Sequence, residues 1–248
     1  MPRLSGRRTS HVEEDEGYFI SMSDMLTGLL FVFIILVFYF ALQLRKSEQE
    51  LTGAKDARAK LLEDIQKDLK KREVDAEIDK NSGVLRLQGV ALFGDDDANL
   101  TDEGRRSVDA VAAVLAQRLP CFTDDGTRAC AGKGVQRVET LMVEGHTDAR
   151  PRMRGGRDTN IDLSTMRAIN TFVEMRTRQP GLDELSAWID TDVGPRLRPI
   201  LSVSGYGSTR PVPGFESSAA GSLQKNRRID LRFLMVTRSA ARLKGTKG

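Results

Sequence analysis

The sequence predicts an α+β protein: a single N-terminal transmembrane helix, a helical linker, and a C-terminal α/β sandwich domain of order β-α-β-α-β-β. Three observations carry this reading. From Met25 to Leu44 there are 20 consecutive residues without a formal charge. From Arg45 to about Lys80 the chain is highly charged, free of proline and striped with apolar residues at helical spacing. From Gly83 onward, short alternating runs give way to helix-period runs and back again. The segments are accordingly 1–17 as an N-terminal tail, 18–44 as the transmembrane helix, 45–82 as the linker, 83–237 as the folded domain and 238–248 as a C-terminal tail.

Composition sets the frame. A chain of 248 residues, 40% hydrophobic and 29% charged, has room for one medium domain plus extra elements and is too polar for several membrane spans. The net charge of +3 is small, and the basic residues are scattered rather than striped along one element, so nothing points to a nucleic-acid partner.

As a helix, the uncharged run would cover ~30 Å, the thickness of a hydrocarbon core. A signal peptide has a shorter apolar region and ends at a small-residue cleavage site, whereas this run continues into "FALQLRKSEQE", which reads as a retained anchor. One carboxylate, Asp24, stands near its start in "SMSDMLTGLLFVFIILVFYF". In hydrocarbon a carboxyl favours its neutral form, and a nearby charge or water path lets it ionise, so such a group can load and release a proton. Ser21, Ser23 and Thr27 lie near it on a helix and are candidates to hydrogen-bond it or to bound a water path. The competing reading is a helix-start residue at headgroup level, and the span alone does not choose between them. Orientation is equally open, because Arg3, Arg7 and Arg8 precede the span while Arg45, Lys46, Lys55, Arg58 and Lys60 follow it.

In the linker, Leu44, Leu51, Ala54, Leu61, Leu62, Ile65 and Leu69 form a helical stripe. Leu44, Leu51 and Ile65 fall on a seven-residue grid that Arg58 interrupts, so a two-stranded coiled contact and a solvated stalk both fit. "NSG" at Asn81 to Gly83 is expected to end the helix.

Within the domain, "VLRLQGVALF" alternates like a strand, and Thr101 is placed to cap the helix "DEGRRSVDAVAAVLAQRL", with Val108, Val111, Leu115 and Leu119 inward. "VQRVETLMVEGH" reads as a strand. The next helix runs from about Asp162 to Gln179 with Leu163, Met166, Ile169 and Phe172 or Val173 inward, followed by a short helix near Leu182 to Ile189. "PILSVSGYG" and "RRIDLRFLMV" supply the last two strands, giving a sheet with helices on one face.

The charged residues gather at the ends of these elements. Asp148 follows a strand, Arg167 sits in the next helix, and Arg227 and Arg228 stand at the mouth of the last strand. A carboxylate can take an ammonium and a guanidinium can take a carboxylate bidentately, so one acid among several arginines suits a zwitterionic group. A plain structural pair between Asp148 and Arg167 explains the same charges. No serine, cysteine or histidine arrangement reads as a nucleophile with its base, so no enzyme is expected, and His146 at a strand end has a packed or hydrogen-bonded role by default. The acidic run Asp95–Asp97 suits either a hard cation or a solvated turn, and lacks the full ligand spacing for the first. The two cysteines, Cys121 and Cys130, lie in an insertion, Pro120 to Gly134, and fit a disulfide in an oxidising compartment or two reduced thiols.

Five blocks, "ALFGDDDANLTDEG", "VEGHTD", "NIDLSTMRA", "SGYGSTRPV" and "NRRIDLRF", resemble in order and spacing the peptidoglycan-binding domain of the OmpA and MotB family, over roughly Gly83 to Thr237. The resemblance implies an OmpA-like fold and a non-catalytic module that grips the diaminopimelate group of cell-wall peptides. Residue by residue, it carries peptidoglycan binding onto Asp148, Asn160, Arg167, Arg227 and Arg228. The arginine- and glycine-rich loop between Asp148 and Asn160 departs from the simplest members. Behind a single span with an aspartate, such a domain resembles a MotB-type stator subunit, which implies that Asp24 carries the coupling ion. The block "SMSDMLTGLLFVFI" more closely resembles the ZorB type, the MotB-like subunit of the Zorya anti-phage defence system, than the flagellar "ADF" form. This implies a multi-span ZorA-like partner in a five-to-two complex, a homodimer held on peptidoglycan, and no cofactor beyond a coupling proton, with sodium less favoured. It also implies a cytoplasmic N-terminus and a periplasmic C-terminal domain at the cell inner membrane, where Cys121 and Cys130 would be bridged.

Overall fold

The computed structural model describes residues 10–124, 136–189 and 191–236, with side-chain detail from 22 onward except at 50 and 90. The chain divides into two units, Met1–Glu50 and Leu51–Gly248.

The first unit belongs to a helix, α1 (Ser10–Lys70), which contains the one stretch among the described residues long and apolar enough to cross a membrane. The large apolar side chains from Met22 to Leu44 all face outward, among them Met25, Phe31, Phe38 and Phe40. In water such a surface would be costly to expose, whereas lipid or partner helices cover it at no cost. Asp24 also faces outward, and Thr27 donates its hydroxyl proton to the Ser23 carbonyl one turn back at 2.8 Å. Ser21 is helical, but its side chain lies outside the described residues.

The second unit begins earlier than the alternating pattern suggests. Ala54, Leu61, Leu62, Ile65 and Leu69 are buried in the same core as Leu85, Val111, Leu115 and Phe233. From Ala54 to Leu69 the apolar stripe of the linker is therefore covered by the domain's own core rather than by a coiled-coil partner or water, while Leu44 and Leu51 at its start are exposed. Arg118 of a later helix reinforces this contact by pairing with Asp68. The helix ends at Lys70 rather than near Lys80, closed by Glu73 in a left-handed conformation (φ 61°) and by Val74 N–H donating to the Leu69 carbonyl. Asn81–Gly83 instead forms the turn of a hairpin between β1 (Ala76–Asp79) and β2 (Val84–Gln88), where the Asp79 carboxylate accepts from the N–H groups of Asn81 and Ser82.

A one-turn helix α2 (Gly89–Leu92) leads to α3 (Asp102–Arg118). Thr101 caps α3 as expected, its hydroxyl accepting from Gly104 N–H at 2.9 Å, and Val108, Val111, Leu115 and Leu119 are all buried. Then follow β3 (Val138–His146), a small hairpin of β4 (Met153–Arg154) and β5 (Arg157–Asp158), and α4 (Asn160–Arg178). The inward face of α4 is Leu163, Ser164, Arg167, Ala168, Thr171 and Met175; of the expected pair Phe172 or Val173 it is Phe172 that packs on the core, while Met166, expected inside, is exposed. In place of a second short helix, a 3-10 turn (Pro180–Asp183) precedes a hairpin of β6 (Ser186–Ile189) and β7 (Arg196–Pro199). β8 (Leu201–Gly205), the short α5 (Ala220–Asn226) and β9 (Arg228–Met235) complete the unit. The main sheet has the order β1-β2-β9-β3-β8, parallel only between β3 and β8.

Two glycines bring the strand ends onto α4. A Cβ on Gly145 would lie 1.9 Å from the Ser164 carbonyl oxygen, and one on Gly205 would lie 2.1 Å from Thr165 Oγ1 and 2.6 Å from Thr165 backbone atoms. Only hydrogen in place of a side chain lets the C-terminal ends of β3 and β8 touch the start of α4. Cys121 closes a 3-10 turn after α3, and Cys130 lies outside the described residues, as do most of the insertion and the C-terminal tail.

Because α1 supplies part of this core, Leu62→Ala is expected to destabilise the domain by about 2–5 kcal/mol in chemical denaturation. A fragment beginning at Leu51 should unfold cooperatively and one beginning at Gly83 should not. Cooperative unfolding of the shorter fragment would remove α1 from the domain.

Candidate functional site

The loops that leave β3 and precede α3 and α4 enclose a cleft of about 450 Å³, lined by Asp95, Asp96, Thr147, Asp148, Arg150, Pro151, Arg152, Asn160, Leu163, Arg167 and Arg227. Four of the sequence-predicted site residues, Asp148, Asn160, Arg167 and Arg227, thus meet in one place. Arg228 does not join them. Arg228 is the first residue of β9 and, two residues from Asp230, shares its face of the sheet; its guanidinium turns under the sheet, where Nε donates to Asp230 at 2.9 Å and Nη2 to the Arg210 carbonyl at 3.0 Å.

Asp148 is the cleft's central acceptor. Its side chain is 6% exposed and accepts from the Arg150 backbone N–H at 3.0 Å, Arg150 Nη2 at 2.8 Å and Arg227 Nη1 at 2.9 Å. Burial pushes its carboxyl up, but the Arg150 and Arg227 hydrogen bonds outweigh burial and hold it below the ordinary aspartate value. Asn160 donates from Nδ2 to the Arg150 carbonyl at 2.8 Å, fixing the loop that carries Arg150.

Arg167 does not pair with Asp148. Its guanidinium lies over the Phe93 ring, 5.0 Å from the centroid, and donates to the backbone carbonyls of Asp97 at 2.7 Å and Gly94 at 3.1 Å. Asn170 adds a bond to the Ala98 carbonyl at 2.7 Å. Together they hold the acidic 94–98 loop by its backbone against α4. Burial, and then the nearby charge of Arg227, lowers the proton affinity of Arg167.

The sequence marks the 148–160 loop as arginine-rich without assigning roles to its arginines. Arg152 and Arg154 both pair with Asp96, so the acidic turn is neutralised from within the chain, and Asp97 is spent on an Asx turn with Asn99. The alternation of Arg150, Arg152 and Arg154 opposite "GDDD" is the signal that would have found these pairs. Among the described residues, two buried polar atoms of the cleft residues, Thr147 Oγ1 and Arg227 Nε, have no hydrogen-bond partner.

On the other face of the sheet lies a second charged cluster. Glu144 accepts from Arg232 Nε and Nη2 at 2.8 Å each, and Asp230 accepts from Arg228 and, at 3.2 Å, from Arg86 Nε. His146 is buried between them, with Nε2 3.5 Å from Asp230 and 3.9 Å from Glu144, and stacks on Tyr206 at a centroid distance of 5.4 Å. Glu144, His146 and Asp230 stand close enough to share a metal ion. Three guanidiniums already surround the two carboxylates, however, so the cluster carries positive charge before any cation arrives.

Comparisons place known proteins beside this geometry. No protein-family model and no curated protein matches the chain. Solved structures similar to it include the cell wall anchor of the T6SS from Pseudomonas aeruginosa, 20% identical over 72% of this chain and 99% of that one (TM-score 0.45). They also include a putative MotB-like protein from Desulfovibrio vulgaris, 16% identical over 79% and 96% (TM-score 0.45). The periplasmic domain of Helicobacter pylori MotB, residues 78–256, is 18% identical over 65% and 81% (TM-score 0.41).

The buried cluster contributes to the acid stability of the domain. Burial raises the Glu144 carboxyl, but His146 and the bidentate Arg232 overcome it and hold the group at about 2. A folded value below the unfolded one, near ~4.3, means that this stabilisation is present above about pH 4.3 and is lost as pH falls toward 2. Melting followed by calorimetry should therefore show a steep fall in Tm across that window, and Glu144→Gln, less stable at neutral pH, should flatten it.

Proposed function

We propose that the chain is the peptidoglycan-anchored stator subunit of a proton-driven inner-membrane motor that acts in anti-phage defence. Its partner is a ZorA-like multi-span protein. The observation that carries the anchoring half is the convergence of Asp148, Asn160, Arg167 and Arg227, from three separate sequence blocks, on one cleft that also holds the partnerless Thr147 Oγ1 and Arg227 Nε. A buried acceptor beside guanidinium donors matches a group bearing both an ammonium and a carboxylate, as the diaminopimelate of cell-wall peptides does. Arg167 serves this cleft by fixing the 94–98 loop, which forms one wall.

The motor half rests on Asp24. Its carboxylate faces outward beside an apolar stretch whose large side chains also face outward, a surface that suits lipid or another chain. A proton is the coupling ion in this reading, because Ser23 and Thr27 offer few oxygens for a sodium cage and Thr27 is engaged with its own helix backbone. An aspartate that alternately faces a water path and a dry contact converts ion flow into movement of the partner, and a wall-bound domain gives that movement something to push against. In this orientation the N-terminus is cytoplasmic, the domain is periplasmic, and Cys121 and Cys130 are bridged.

In a phage-protection assay with the intact operon, Asp24→Asn should abolish protection while expression and sedimentation with purified peptidoglycan stay normal. Protection retained by Asp24→Asn would reduce the chain to a passive tether, and a motility defect without a change in phage sensitivity would assign it to a flagellar stator. Asp148→Ala should abolish sedimentation with peptidoglycan, and retained binding would remove the cleft from the anchoring role.

A further inference from the structure

We propose that Arg150 is a built-in competitor for Asp148: its guanidinium occupies the place that a ligand ammonium would take, and binding exchanges this internal cation for an external one. The inference rests on the peptidoglycan reading above and adds a determinant of specificity to the same cleft.

Arg150 meets both carboxylate oxygens, with Nε at 3.2 Å from each and Nη2 at 2.8 Å from Oδ2. Together with Arg227 and the Arg150 backbone N–H, this fills the acceptor positions of Asp148. An arriving ammonium therefore has to displace a guanidinium. The two arginines differ in how readily they can leave. Arg227 is 22% exposed and its Nε is enclosed, whereas Arg150 is 62% exposed and tethered only through its side chain's contact with the acid. The Arg150 backbone stays fixed whatever its side chain does, because its N–H is held by Asp148 and its carbonyl by Asn160. Asp95, on the same cleft, acts on Arg150 electrostatically and gives the displaced guanidinium a second acid to face.

The exchange makes the cleft selective. A simple amine replaces one cation by another on Asp148 and gains little. A ligand that also brings a carboxylate meets the partly exposed guanidinium of Arg227 on the arginine-rich side of the cleft and recovers what the exchange costs.

The test uses the full-length chain solubilised in detergent, titrated with purified peptidoglycan and followed by sedimentation, with free meso-diaminopimelate as competitor. Arg150→Ala is expected to bind peptidoglycan up to about fivefold more tightly than the parent, the size of one exposed ion pair that no longer has to be broken. The half-inhibiting concentration of free meso-diaminopimelate should fall by the same ratio. Adding Asp148→Ala to Arg150→Ala should remove binding. Equal or weaker binding by Arg150→Ala, with an unchanged melting temperature and a parent that binds, overturns the competitor role and leaves the anchoring function standing. Failure of both parent and Arg150→Ala to bind, with both melting cooperatively, overturns the two together. Binding by Arg150→Ala alone supports the exchange in its strongest form.

Discussion

The close approach of two glycine-bearing strand ends to α4 is the contact on which the cleft depends. At Gly145 and Gly205 the sheet reaches the helix backbone without an intervening side chain. The next residues of both strands are stitched together, Thr147 N–H to the Gly207 carbonyl and Tyr206 N–H to the Gly145 carbonyl, and Ser164 of α4 accepts from Gly207 N–H. Asp148 thus leaves β3 at a fixed distance from the first turns of α4, which carry Asn160 and Arg167. A methyl group at either glycine would push these walls apart, and each polar contact across the cleft is short enough to be lost by such a shift.

Charge is handled in the same way on both sides of the sheet: carboxylates are met by guanidiniums, whether buried like Asp148 or exposed like Asp96. Above the strand ends, Asp148 and Asp96 are taken by Arg150, Arg227, Arg152 and Arg154. Under the sheet, Glu144 and Asp230 are taken by Arg232, Arg228 and Arg86. Removing one member of such a set leaves an uncompensated charge, so these networks are costly to break even where they contribute little net stability. What separates the two is access. The lower cluster is closed over His146, whereas the upper one lines a cleft open to solvent, with Arg150 largely exposed.

Much of the domain was legible along the chain because its elements obey local rules. The Thr101 cap, the buried face of α3, the strand that ends at His146 and the last two strands all follow from period and capping chemistry. Where the reading failed, local pattern pointed two ways. The stripe from Ala54 to Leu69 has the spacing of a coiled-coil seam and of a domain helix alike, and only the presence of Leu85 and Phe233 opposite it decides. Ser186–Ile189 is too short for its period to speak. Met166 and Val173 are apolar yet exposed, while Arg167 and Thr171 take the inner face, because the cleft and the 94–98 loop require polar groups there.

The sequence by itself determined the membrane-length apolar helix with Asp24 at its start, the kinds of element in the domain and the set of charged residues gathered at their ends. Only the tertiary structure decided that α1 enters the domain core, that Arg228 leaves the cleft for the underside of the sheet, that Arg167 holds carbonyls rather than an acid, and that Arg150 sits on Asp148. The physical reason is range. Periodicity records which residues share a face, within a few residues of one another, whereas the partner of a buried charge is chosen by whatever the fold brings within about 3 Å.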